Sequence, residues 1–128
     1  NIMNSQELKD KSKQFALRVI KLTDSLPRTR AADVIAKQVL RSATSVGANY
    51  RAACRARSKA DFVSKITIVE EEADESLYWL EIIKDSGLIK PERLQEIMKE
   101  ADELVAIFTS SGKTAKQNNP KSAIRNPK

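Results

Sequence analysis

The chain has 128 residues, 41% of them hydrophobic and 31% charged, with 3 glycines, 4 prolines and a formal net charge of +6. That length holds one modest core, the composition favours long helices over turn-rich sheet, and the charge favours anionic partners without selecting one. The absence of histidine removes serine and cysteine triads, Glu-x-x-His di-iron sites and histidine-bound zinc, so the sequence predicts a protein that is not an enzyme and uses no cofactor or metal.

No run approaches the roughly 18 apolar residues of a membrane span, and the first stretch, NIMNSQELKDKSK, lacks an apolar signal core. With Cys54 the single cysteine, these features predict a cytoplasmic chain without a membrane partner.

Four periodic stretches follow. Phe15, Val19, Leu22 and Leu26 recur at helical spacing and predict helix one over about residues 5–25, ended by Pro27. Helix two, about 30–57, holds Ile35, Val39, Ser42, Val46, Asn49, Ala53 and Ala56 on one face. Gly47 lies inside it at a cost of about 1 kcal/mol relative to alanine, which marks a close neighbour. Ser58 with Asp61 resembles a capping box and opens helix three, about 59–86, whose seam is Phe62, Ile66, Val69, Ala73, Ser76, Leu80 and Ile83. Gly87 stops it, Pro91 opens helix four over about 91–112, and Leu94, Met98, Ala101, Val105 and Phe108 face inward. The expectation is an all-α, up-down-up-down antiparallel four-helix bundle over residues 1–116, followed by a basic, disordered tail over 117–128.

The stretch NYRAACRARS, residues 49–58, concentrates the basic charge. On a helical wheel Lys37, Arg41, Arg51 and Arg55 fall within about 80° of one another, opposite Ile35, Val39, Val46 and Ala53. From Arg28 to Arg57 there are seven cations and one acid, and residues 60–86 answer with eight acids and two lysines. Two readings of the stripe stand side by side: it contacts nucleic-acid phosphates, which arginine's planar fork grips in pairs, or it is a solvated face paired with the acids of helix three. Glu70, beside the seam, is the acid expected to be partly buried against an arginine. Carboxylates four apart, Glu70 with Asp74 and Glu71 with Glu75, are a weak cation site without histidine to complete it. Asn49 reads as a hydrogen-bonded core residue, and Cys54, lacking a base, as a small helix residue. SSGKT at 110–114 fails as a phosphate loop because Ile107 stands where the motif needs glycine.

LYWLEII, near the end of helix three, is apolar nearly all round. Ile68, Trp79 and Ile82 point away from the seam and predict self-association through that surface.

The order of Leu26-Pro27, QVLRSATSVGANY at 38–50, Arg57-Ser58, Asp61-Phe62 and DSGLI resembles the four-helix-bundle proteins encoded within intervening sequences of bacterial large-subunit ribosomal RNA genes. It is also similar to their relatives, the accessory variability determinants of diversity-generating retroelements. The resemblance spans roughly residues 8–112. It implies a homopentameric ring of bundles, no enzymatic activity, and, for the retroelement branch, a basic surface that engages RNA or DNA and a reverse transcriptase. The positions that would carry that role are Lys37, Arg41, Arg51, Arg55 and Arg57. The common segment NIAEGxGRxS reads NYRAACRARS here, with Ala52, Ala53 and Arg55 in place of a glutamate and two glycines. Helix two is therefore expected to run further and more cationically than the pattern. The function expected is a nonenzymatic, oligomeric nucleic-acid-associated protein, accessory to an RNA-processing or reverse-transcribing assembly; the alternative is a protein–protein adaptor that binds no nucleic acid.

Overall fold

A computed structural model describes residues 3–117. Among these the chain is all-α: α1 (Ser5–Thr23), α2 (Arg30–Cys54), α3 (Lys59–Asp85) and α4 (Pro91–Gln117), with no strand. The expected tail from residue 118 onward lies outside the described residues.

Local chemistry sets the helix starts. Asn4 and Glu7 form a reciprocal capping box, the Asn4 side chain accepting from the Glu7 N–H at 2.8 Å and the Glu7 carboxylate from the Asn4 N–H at 3.0 Å. Thr29 caps α2 through the Ala32 N–H at 3.2 Å. Ser58 caps α3 through the Asp61 N–H at 3.0 Å, but Asp61 reaches past Ser58 to accept from the Arg57 N–H at 3.2 Å. The expected box is thus displaced by one residue. Gly87, at φ +77°, is the one left-handed residue described and turns the chain from α3 to α4.

Two helix ends differ from the sequence expectation. Helix α2 stops at Cys54, not residue 57. Arg55 leaves helical geometry at φ −104°, ψ 16°, because Ser58 must be extended to cap α3, and three residues remain for the reversal. Helix α4 runs past Gly112 to Gln117. Gly112 is buried at a close approach to α3, where a Cβ would lie 2.6 Å from Glu70 Oε1. Its lack of a side chain serves packing rather than termination, and Ala115 packs on the core one turn later.

Each helix packs on the next, and α1 also meets α4. Lys11 pairs with Glu103 and Arg18 with Glu100, so numbers rise along α1 as they fall along α4, the signature of antiparallel neighbours. The core runs the bundle's length through Phe15 and Val19, Val39 and Val46, Ile66 and Leu80, and Leu94 and Phe108, all essentially inaccessible. Tyr50 tilts against Phe108 with ring centroids 5.3 Å apart. Small residues bring α2 close to both flanking helices. A Cβ on Gly47 would stand 3.2 Å from Ser12 Oγ on α1, and Ser76 Oγ of α3 donates to Ser42 Oγ at 3.0 Å, both serines fully buried.

Two stability measurements check this packing. Phe108→Ala should lower the urea-unfolding free energy by about 3–5 kcal/mol through lost burial and a residual cavity. A double-mutant cycle on Ser42→Ala and Ser76→Ala should return a coupling of about 0.5–1.5 kcal/mol, since the hydroxyls meet across the seam out of water while each also reaches a carbonyl of its own helix.

Candidate nucleic-acid interface

The basic stripe does not stay together. On the α2 wheel Arg41 and Arg51 lean about 40° to either side of the line through Lys37 and Arg55. Ser42 faces α3 and Gly47 faces α1, so Arg41 is carried toward α3 and Arg51 toward α1.

Arg41 is neutralised. Its Nη1 donates to both carboxylate oxygens of Glu72, at 3.1 and 3.2 Å, and its Nη2 donates to Glu75. The two carboxylates raise the Arg41 pKa further above its ordinary value. Glu75 also accepts from the Trp79 indole N–H at 3.0 Å. That bond first, and Arg41 second, hold the Glu75 carboxyl below its ordinary 4.5. Exposed pairs of this kind contribute about 0–1 kcal/mol each, so the cluster matters less for stability than for removing Arg41 from the free cations. The acid expected to meet an arginine, Glu70, is partly buried but lies against Gly112 of α4, with no ion pair among the described residues. Its register faces α4, whereas Glu72 and Glu75 face α2.

Arg51 and Arg55 instead line a groove of about 450 Å³ between α1 and α2, together with Lys9 and Lys13. Among the described residues none of the four forms an ion pair. The one acid of the groove, Asp10, accepts from Gln6 Nε2 at 3.0 Å. The Gly47–Ser12 approach shapes the floor, with Ser12 Oγ turned inward to donate to the Leu8 carbonyl at 2.8 Å. Sequence reading from helix two alone missed Lys9 and Lys13. Their four-residue spacing on α1, joined to the close neighbour that Gly47 demands, was the available signal.

The remaining positions fall elsewhere. Lys37 is exposed on the outer face of α2. Arg57 lies beyond the helix end and borders a different cleft with Cys54 and Lys59. Asn49 donates to the Ser45 carbonyl at 2.8 Å, a local helix bond. Residues 110–114 are helical, with Gly112 buried. On α3, Ile68 is 39% exposed, whereas Trp79 is partly buried on the core and Ile82 is also partly buried. Tyr78, 52% exposed, stacks edge-on against Trp79 and extends that outer surface. Leu17, Ile20 and Val34 are further exposed apolar residues that the sequence reading did not single out.

Four antiparallel helices with a cationic groove on one seam define a helical-bundle protein; no helix described is long and apolar enough to cross a membrane. The model of the 23S rRNA-intervening sequence protein family matches residues 4–110, and the chain belongs to that family. It is similar to the crystal structure of a protein of unknown function from the S23 ribosomal protein family of Bacteroides thetaiotaomicron. The two are 39% identical with a TM-score of 0.79, over 87% of this chain and 99% of that one. No curated protein matches the chain.

The Arg41–Glu75–Trp79 cluster is testable because Trp79 is the only tryptophan. A carboxyl depressed in the folded state stabilises above its unfolded pKa, and that contribution is lost as pH falls through the folded value. Trp79 emission in the native protein should therefore titrate with a midpoint below 4.5, with stability falling in the same window. Glu75→Gln should abolish that optical transition.

Proposed function

We propose that this protein is a nonenzymatic nucleic-acid-associated protein that holds phosphates of RNA or DNA along the α1–α2 groove, as an accessory to an RNA-processing or reverse-transcribing assembly. One observation carries the reading: Lys9, Lys13, Arg51 and Arg55 converge from two helices on one groove, and none is spent on an ion pair among the described residues. Side chains of this type give bidentate or point-charge contacts to phosphate oxygens and release counterions on binding. With no base-stacking aromatic lining the groove, recognition rests on backbone and shape rather than base edges. The family's link to intervening sequences of 23S rRNA agrees with a phosphate-rich partner. The absence of histidine supports a role without catalysis.

We further propose that the protein acts in the cytoplasm as a homo-oligomer, a ring of five in line with the resemblance, joined through the outer face of α3. Ile68 and Tyr78, both well exposed, support that surface, with Trp79 and Ile82 beneath or beside it.

Fluorescence anisotropy with labelled structured RNA and duplex DNA at about 50 and 200 mM salt tests the groove. Four phosphate contacts should give a log–log salt slope of about −3 to −4. Lys9→Ala/Lys13→Ala and Arg51→Ala/Arg55→Ala should each weaken binding to all sequences and lower the slope magnitude by about two. Arg41→Ala, already paired, should leave the slope unchanged. Undiminished binding in either double variant would sink the groove assignment, and no binding of the parent protein at the lower salt would favour the adaptor reading.

A further inference from the structure

At the end of the bundle remote from the α1–α2 turn, a cleft of about 960 Å³ opens between the start of α1, the α2–α3 reversal and the last turns of α4. Its size is that of a small-molecule site. Leu8, Phe62 and Ile107 give it an apolar floor. Arg57 and Lys59 border it from the reversal, and Ser110 and Thr114 add hydroxyls from α4. Among the described residues no carboxylate lines it. Neither Arg57 nor Lys59 forms an ion pair among the described residues, and both are exposed. The nearest acid in sequence, Asp61, is occupied by Lys65 at 2.6 Å and by the Arg57 backbone N–H. A concave apolar floor under two unspent cations selects a ligand with an anionic head and an apolar tail.

We propose that this cleft binds an amphipathic monocarboxylate, its alkyl chain on the Leu8–Phe62–Ile107 floor and its carboxylate at the Arg57–Lys59 border. The site is separate from the phosphate groove: Arg55, the C-cap of α2, faces the groove, and Arg57, two residues on in the reversal, faces the cleft. The carboxylate takes charge-assisted hydrogen bonds that a neutral head cannot accept with equal strength. The chain displaces water from apolar surface, so affinity rises with length by up to about fourfold per methylene buried.

Cys54 borders the cleft, is exposed, and is the only thiol in the chain, which makes it a reporter. The test measures the rate at which iodoacetamide alkylates Cys54 in the full chain, with decanoate, octanoate, hexanoate or decanol added. Decanoate should slow alkylation saturably, the shorter acids should follow in order of length, and decanol should protect more weakly. Arg57→Ala/Lys59→Ala, which alters only exposed side chains, should weaken decanoate about tenfold or more. Ala106→Trp, at an exposed position of the cleft wall, should remove protection by filling the space, with far-ultraviolet circular dichroism confirming that each variant is helical. Alkylation unchanged by millimolar decanoate would overturn the proposal. So would protection equally strong in the double variant, or protection that grows with protein concentration and ignores decanoate, which would give the cleft to a second copy of the chain.

Discussion

The close seating of α2 between α1 and α3 is the constraint from which the charge layout follows. On one flank Gly47 lets the α1 backbone approach over Ser12, and on the other Ser42 and Ser76 share a buried hydrogen bond. Small residues at these positions draw the helices together, and a helix held at two flanks cannot rotate to present its basic stripe as one face. The cations are therefore divided according to which neighbour their wheel position overlooks. A bulkier residue at position 47 or 42 would do more than cost packing energy, because it would change which neighbour each arginine meets.

That division explains how a chain of net charge +6 can carry a strongly acidic helix without cancelling itself. The acids of α3 are not a general counterweight to α2; Glu72 and Glu75 converge on Arg41, and Glu75 is also held by Trp79. Across the other seam, α1 meets α2 with lysines rather than acids at Lys9 and Lys13, so Arg51 and Arg55 are left unpaired and gain cationic company. Like charges gathered over a groove cost stability through mutual repulsion, each by an amount that salt screens. The arrangement is thus unfavourable for folding alone and favourable for an anionic ligand, which makes this seam a better functional candidate than the richer charge count of α2 as a whole.

The fold was legible because its signals are local and redundant. Pro27, the capping Ser58, the glycine at 87 and the proline at 91 mark ends, and the apolar spacing marks the buried faces. Errors arose where a residue's role depends on a partner distant in sequence. Helix four reads as ending at about 112 until Gly112 is seen packed against Glu70, and Glu70 reads as an arginine partner until its face is found to meet α4. The reversal after Cys54 was hidden because Ala53 and Arg55 stand where the pattern that the sequence resembles has glycines, and the turn is made without any left-handed residue. The groove was half legible: Arg51 and Arg55 were visible as a stripe, whereas Lys9 and Lys13 join them only through the antiparallel pairing of α1 with α2.

The stretch NYRAACRARS is accordingly neither one grip nor one inert face. Tyr50 and Ala53 belong to the core, Arg51 and Arg55 overlook α1, Asn49 serves its own helix, and Cys54 and Arg57 belong to the end cleft. The Tyr50 phenol, pushed well above its ordinary pKa by burial first and by the neighbouring Cys54 second, stays neutral within the core. The stretch thus serves four surroundings because a helix points successive side chains about 100° apart and then ends. Arg55, at the C-cap of α2, still overlooks the groove, whereas Arg57 stands about 200° further round the wheel and lies in the reversal that precedes the extended Ser58 cap. Wheel position and the helix end together thus give the groove two arginines, Arg51 and Arg55, and the cleft one, Arg57.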